Sequence, residues 1–169
     1  TTDRAAFARR VADICHEVGF FTLVDHGIGQ STIDDYMAMV RRFFALPVEV
    51  KATIEKTTSP HCRGWERLGS ELTDNKVDHR EQVDLWTERP AADPSVTPAY
   101  LRLMGPNPWP ADEVLPGFRD VVSTWFASME ALAGRLMEVL AVGLGLSGDT
   151  FHRIFGADTH SLLKLIHYP

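Results

Sequence analysis

A chain of 169 residues with 44% hydrophobic side chains has the length of one domain, or of the front part of a larger one, and is too apolar for disorder. Its 17 basic and 23 acidic residues leave a net charge of −6, which argues against binding nucleic-acid phosphates. No run of about 18 apolar residues is present to cross a membrane, and Cys15 and Cys62 make neither a disulfide framework nor a CxxC metal site, so a reducing cytoplasm is the expected setting.

In residues 3–18 the apolar side chains Phe7, Val11, Ile14, Cys15 and Val18 recur at helical spacing, and Gly19 stops the helix. The run 20–24 (FFTLV) is rich in β-formers and reads as a strand closed by Asp25-His26-Gly27, where His26 is placed to bond the turn. Ser31 to Asp34 has the form of a capping box, predicting a helix to about Ala45 with Ile33, Tyr36, Met37, Val40, Phe43 and Phe44 inside. Pro47 suits the first turn of a short helix over 47–54. Residues 55–89 look irregular, with extended pieces near 63–67 and 81–86. Six prolines then fall between Pro90 and Pro110 and predict an ordered coil or a flexible connection.

The longest helix is expected over about 117–144, with a stripe of Phe118, Val121, Val122, Trp125, Met129, Leu132, Leu136 and Leu140. Ser147 is expected to cap a short helix through Phe155. Residues 161–169 alternate as a strand, with Lys164, Ile166 and Tyr168 on one face and Leu163, Leu165 and His167 on the other. This strand ends with no turn or pairing partner in view, and Thr1 stands where an initiator Met would be. Both features lead us to expect a piece of a longer protein, cut where a sheet begins.

Seven histidines invite a metal reading, and His79-Arg80-Glu81 has the H-x-E form of a two-His, one-carboxylate iron site, with His152, His160 or His167 as third ligand. A surface His beside an ion-paired Glu81 is the simpler reading. Cys62 follows His61, but no partner pair stands at a zinc-like spacing. Phosphate loops and nucleophile elbows are missing. On the final strand, Lys164 and Tyr168 could serve a carboxylate if their face lined a cavity. By spacing alone this weighs the same as Lys164 reaching solvent and Tyr168 closing the core edge.

Seven segments, in order, resemble the N-terminal region of the isopenicillin N synthase-like group of non-haem Fe(II), 2-oxoglutarate-dependent dioxygenases. They are 18–28 (VGFFTLVDHGI), 43–47 (FFALP), 63–71 (RGWERLGSE), 78–85 (DHREQVDL), 105–110 (GPNPWP), 115–119 (LPGFR) and 163–169 (LKLIHYP). The resemblance implies an α+β fold, a helical N-terminal region wrapped on a double-stranded β-helix (jelly-roll) oxygenase, with only the first barrel strands present. Residues 1–115 would be the N-terminal region with its Pro-rich connection, and 116–169 the long supporting helix and the entry strand of the barrel. The iron ligands would follow Pro169, so no metal or catalytic residue is expected within this segment. The H-x-E triplet falls instead on an acidic stretch before the barrel.

The resemblance also implies roles for single residues. Tyr168 matches a strand tyrosine that bonds a 2-oxoglutarate carboxylate in many members, and Lys164 a basic position facing the active site. Ile166 stands where many plant members have Asn. Arg63, Glu71 and Thr73 match a segment that contributes substrate contacts in some members. The implied activity is oxidation of a small organic substrate with O₂ and 2-oxoglutarate on Fe(II), giving succinate and CO₂. The alternatives are an iron oxidase of the same fold that uses no 2-oxoglutarate, and a catalytically inactive relative that only binds. Substrate and oligomeric state are left open.

Overall fold

The computed structural model describes residues 3–156 and 159–169, with the side chain of Thr73 outside the described part. The chain divides into two compact units, Thr1–Thr32 with Trp125–Thr159, and Ile33–Thr124 with His160–Pro169. Among the described residues, no helix is long and apolar enough to cross a membrane.

The first unit is helical. Helix α1, Arg4–Glu17, is capped by the Asp3 carboxylate, which accepts from the Ala5 and Ala6 amides at 3.0 and 3.2 Å. Its buried residues are Ala8 and Val11, whereas Phe7 and Val18 of the predicted stripe are exposed. Small residues occupy the contact because Gly143 lies against the α1 backbone. A Cβ built on Gly143 would stand 2.3 Å from the Ala8 carbonyl oxygen.

The segment 20–24 does not pair as a strand, contrary to expectation. It runs as coil with Phe20 and Val24 strongly exposed, since a β-forming composition makes a strand only where a partner edge is offered. His26 does bond the turn, its Nδ1 accepting from the Ile28 amide at 3.1 Å, while Arg135 donates to the His26 carbonyl at 3.0 Å.

Helix α2, Gln30–Phe44, starts before Ser31, so that serine lies in the first turn rather than at the cap. Tyr36, Phe43 and Phe44 are buried as predicted, but Met39 takes the inner position assigned to Met37. Helix α3, Val48–Lys51, runs on as a 3₁₀ turn, Ala52–Ile54. Strand β1, Gly64–Glu66, precedes a hairpin of β2, Leu72–Thr73, and β3, Lys76–Val77, that the composition did not announce. Its turn residues Asp74 and Asn75 take φ of 51° and 59°, the pairing that a two-residue hairpin turn requires.

Strand β4, Glu81–Trp86, lies at the centre of a three-stranded antiparallel sheet, between β1 and the final strand β5, Leu162–His167. The expectation that the last strand lacks a partner is therefore corrected, because six of its residues pair with β4 from Glu81↔His167 to Trp86↔Leu162. The partner lies about 80 residues back in the chain, beyond the reach of a reading of local pattern.

Helix α4, Phe118–Gly143, falls where the apolar stripe predicted it, with Phe118 and Val122 fully buried and the rest of the stripe half-buried. In the second unit Phe118 stacks on Phe43 at 5.1 Å and meets Trp109 edge-on at 6.1 Å. Helix α5, Thr150–Phe155, begins later than Ser147 suggests, because that hydroxyl donates to the Asp149 carboxylate inside the turn.

Candidate functional site

Strand β4 is buried from Glu81 to Leu85, so both of its faces are covered. Glu81, Val83 and Leu85 share one face, Gln82 and Asp84 the other. A strand buried on both sides while alternating acid, amide and aliphatic residues must satisfy its polar groups from neighbouring elements.

On the apolar face, Val83 and Leu85 are buried with Trp65 and Leu165. Glu81 is the exception there. Its Oε2 accepts from Lys51 Nζ at 2.7 Å and from Trp65 Nε1 at 2.8 Å, and Oε1 lies 3.0 Å from His167 Nδ1. Burial pushes the Glu81 carboxyl upward, but the hydrogen bonds from Lys51, His167 and Trp65 outweigh it and hold the group below its ordinary value. Glu81 thus ties α3, β1 and β5 to the central strand. No group of three or more His, Cys, Asp or Glu side chains placed to hold a metal ion occurs among the described residues, and Glu81 of the H-x-E triplet is instead taken up by Lys51, Trp65 and His167.

The opposite face is polar. Gly64 stands across from Asp84 in the β1–β4 register, and a Cβ there would fall 2.2 Å from the Ile54 carbonyl oxygen. That bare position lets the segment after α3 lie against the sheet, with Glu55 bridging to Trp65 in parallel. Lys56 is thereby carried over the sheet, where its Nζ reaches Asp84 Oδ2 at 2.7 Å and Glu66 Oε1 at 3.1 Å. Burial lowers the Lys56 ammonium, but hydrogen bonds to Asp84 and Glu66 overcome this and hold it above its ordinary range.

Asp84 is 4% exposed, and its second oxygen, Oδ1, accepts no hydrogen bond. Lys164, opposite Asp84 in the β4–β5 register, places Nζ 3.5 Å from it. Toward the other end of the face, Gln82 donates to Glu66 and, at 3.0 Å, to Glu71. Arg80 lies 3.3 Å from Asp78 and 3.9 Å from Glu71, and donates to the Tyr168 hydroxyl at 3.4 Å.

The expected residues Lys164, Ile166 and Tyr168 therefore share one face, with Ile166 40% and Tyr168 61% exposed above a floor of buried polar groups. Glu71 is half-buried beside them. The Thr73 side chain lies outside the described residues. Arg63 takes a different place. It is 0% exposed and donates to the carbonyls of Thr87 and Leu103 and to Asn107 Oδ1, so it acts as a strut to the Pro-rich segment rather than as a contact to a small molecule.

Lys51, Lys56, Glu66, Gln82 and Asp84 were not singled out from the sequence. The available signal was the period-two pattern of 81–86, where Gln82 and Asp84 interrupt an apolar strand on a single face.

Residues 1–112 match the model of the N-terminal domain family described as non-haem dioxygenase in morphine synthesis. The chain belongs to that family. A curated relative, the 2-oxoglutarate-dependent dioxygenase frbJ of a Dothideomycetidae species, is 38% identical over 98% of this chain and 44% of its own length. A putative 2OG-Fe(II) oxygenase family protein from Caulobacter crescentus superposes with a TM-score of 0.80 at 30% identity, covering all of this chain and 53% of that one. A second structure, JOX2 in complex with 2OG, Fe and JA, gives a TM-score of 0.73 at 28% identity, over 97% of this chain and 45% of that one. The chain spans about half the length of the relatives it matches.

Proposed function

We propose that this chain supplies one wall of the active site of an Fe(II)- and 2-oxoglutarate-dependent oxygenase. The enzyme would act on a small organic substrate with O₂ and yield succinate and CO₂. The observation that carries the reading is the row of Lys164, Ile166 and Tyr168, which leaves a cation and a phenol facing outward above a buried polar floor. The relatives named for 2-oxoglutarate, and a neighbour solved with 2OG and Fe, support it.

The donor set fits a carboxylate. An ammonium at Lys164 and a hydroxyl at Tyr168, backed by the Arg80 guanidinium, are the groups that orient a dianionic oxoacid. It does not fit iron, because the face carries no histidine and its carboxylates Glu66, Glu71, Asp78 and Asp84 are all engaged by cations. The metal, when bound, supplies the redox chemistry of O₂ activation.

This chain's own residues hold and orient. Tyr168 would donate to the oxoacid, Lys164 would pair with a carboxylate, and Ile166 between them would give an apolar contact. Glu71 would stand at the substrate side. In this reading residues 1–115 brace the barrel, and 116–169 supply its supporting helix and entry strand.

Replacing Tyr168 with Phe in the intact enzyme should weaken oxoacid binding by about 1.5–3 kcal/mol, the worth of one hydrogen bond to a charged group, and so raise KM for 2-oxoglutarate. An unchanged KM would remove Tyr168 from this role. Succinate release from 2-oxoglutarate with Fe(II) and ascorbate tests the reaction itself. Substrate turnover with no succinate would place the protein among oxidases that use no oxoacid.

A further inference from the structure

The ammonium of Lys164 is held less tightly than any other cation of the polar face, and the reason lies beneath it. Asp84 faces two lysines. Lys56 takes Oδ2 at 2.7 Å and shares Glu66 as well, so it is locked between two carboxylates. Lys164 approaches Oδ1 at only 3.5 Å, with no hydrogen bond formed, and its side chain is 34% exposed while that of Asp84 is 5% exposed. Asp84 is fixed from both flanks, by β1 and by β5, and cannot follow a ligand outward. Lys164 can: a lysine stem has four rotatable bonds and its head already touches solvent. A buried carboxylate with one unbonded oxygen under a half-exposed ammonium defines where that ammonium rests. It leaves the outer hemisphere of the ammonium open for a second anion.

We propose that Asp84 is a positioning residue that anchors the Lys164 ammonium from below, so that Lys164 meets an incoming carboxylate in a preset place. This rests on the reading of Lys164 as a carboxylate contact. It adds that the contact is built by a residue which itself touches no ligand. Lys56 completes the device. Because Lys56 satisfies Oδ2, the Asp84 carboxylate is partly neutralised and holds Lys164 without capturing it in a closed pair. The carboxylate could belong to 2-oxoglutarate or to the substrate.

Two readouts on the intact enzyme separate the possibilities. The first is the rate at which each lysine is dimethylated by formaldehyde and cyanoborohydride, followed by peptide mass spectrometry. In Asp84→Asn, Lys164 should react about fivefold faster than in the natural protein, the scale expected for release from one part-exposed ion pair. Lys51, which is 5% exposed, should stay unreactive in both and so report an intact sheet. Asp84→Glu should restore most of the protection. The second readout is the KM for 2-oxoglutarate, expected to rise about fivefold in Asp84→Asn with kcat little changed, if the carboxylate is that of the oxoacid.

Faster labelling with an unchanged KM would still support the anchoring and would assign Lys164 to the substrate's carboxylate, overturning only its oxoacid role. Unchanged labelling at Lys164 with Lys51 still protected overturns the proposal. So does a KM that falls, since Asp84 would then be restraining Lys164 from the ligand. Labelling of Lys51 in Asp84→Asn would show that Asp84 holds the sheet rather than one lysine, and that also overturns it.

Discussion

Replacing Glu81 with Ala is expected to destabilise the protein by about 3–5 kcal/mol, the cost of stranding a buried charge whose partner is removed. The side chains of Lys51 and Glu81 are 6% and 8% exposed, so the orphaned ammonium would find no water in exchange. Its other acceptor is a single backbone carbonyl, that of Phe44, at 3.0 Å. Trp65 would lose its indole acceptor as well, at a position that is 1% exposed. The double replacement Lys51→Met with Glu81→Leu should recover part of the loss, because a packed apolar pair carries no desolvation penalty. Denaturant midpoints of the three variants check this.

Acid supplies a second test of the same network. The folded-state pKa of Glu81 lies below its unfolded value, so the unfolded chain binds more protons between the two. The stabilisation is fully present above the unfolded value, about 4.3, and is lost as pH falls through the folded value. The stability gap between the natural protein and Glu81→Gln should therefore be constant near neutrality and narrow only below about pH 4. A gap that persists unchanged to pH 2 would mean that the carboxylate is not the source.

The long helices were legible in the sequence because their apolar residues recur at the helical period. The α4 stripe and the Asp3-to-Gly19 span of α1 announce themselves in a window of a few turns. The alternation of Lys164, Ile166 and Tyr168 against Leu165 and His167 likewise fixed the two faces of β5 before any partner was known. What local pattern could not supply was the partner. Asp84 and Lys164 are separated by 80 positions, and only the β4–β5 register sets one beneath the other.

The same limit explains the misreading of 20–24, where composition promised a strand and none of the described residues pairs with it. Arg63 was misjudged for a different reason. A guanidinium near a site resembles a ligand contact in sequence, and only the carbonyls of Thr87 and Leu103 reveal that it braces the chain from inside.

Gly64 is where fold and site depend on one missing atom, and Gly64→Ala should be among the most damaging single changes in the molecule. Its φ is +120°, a conformation that side chains rarely adopt. An added Cβ would stand 2.2 Å from the Ile54 carbonyl oxygen and 3.0 Å from Pro108 Cγ. The nearer atom is backbone, so no rotamer change relieves the clash, and the segment after α3 must lift from the sheet. Lifting it withdraws Lys56 from Asp84 and Glu66, leaving a carboxylate that is 4% exposed without its closest cation.

Backbone strain of this kind costs about 1–3 kcal/mol by itself, and an unpaired buried carboxylate adds a cost of similar size. We therefore expect a loss of about 3–5 kcal/mol in stability. Loss of the anchored Lys164 geometry should follow, read as faster dimethylation of both Lys56 and Lys164. A Gly64→Ala protein with natural stability and unchanged labelling would mean that the added methyl is accommodated without lifting the 54–58 segment, and that the polar floor does not depend on the bare position in β1.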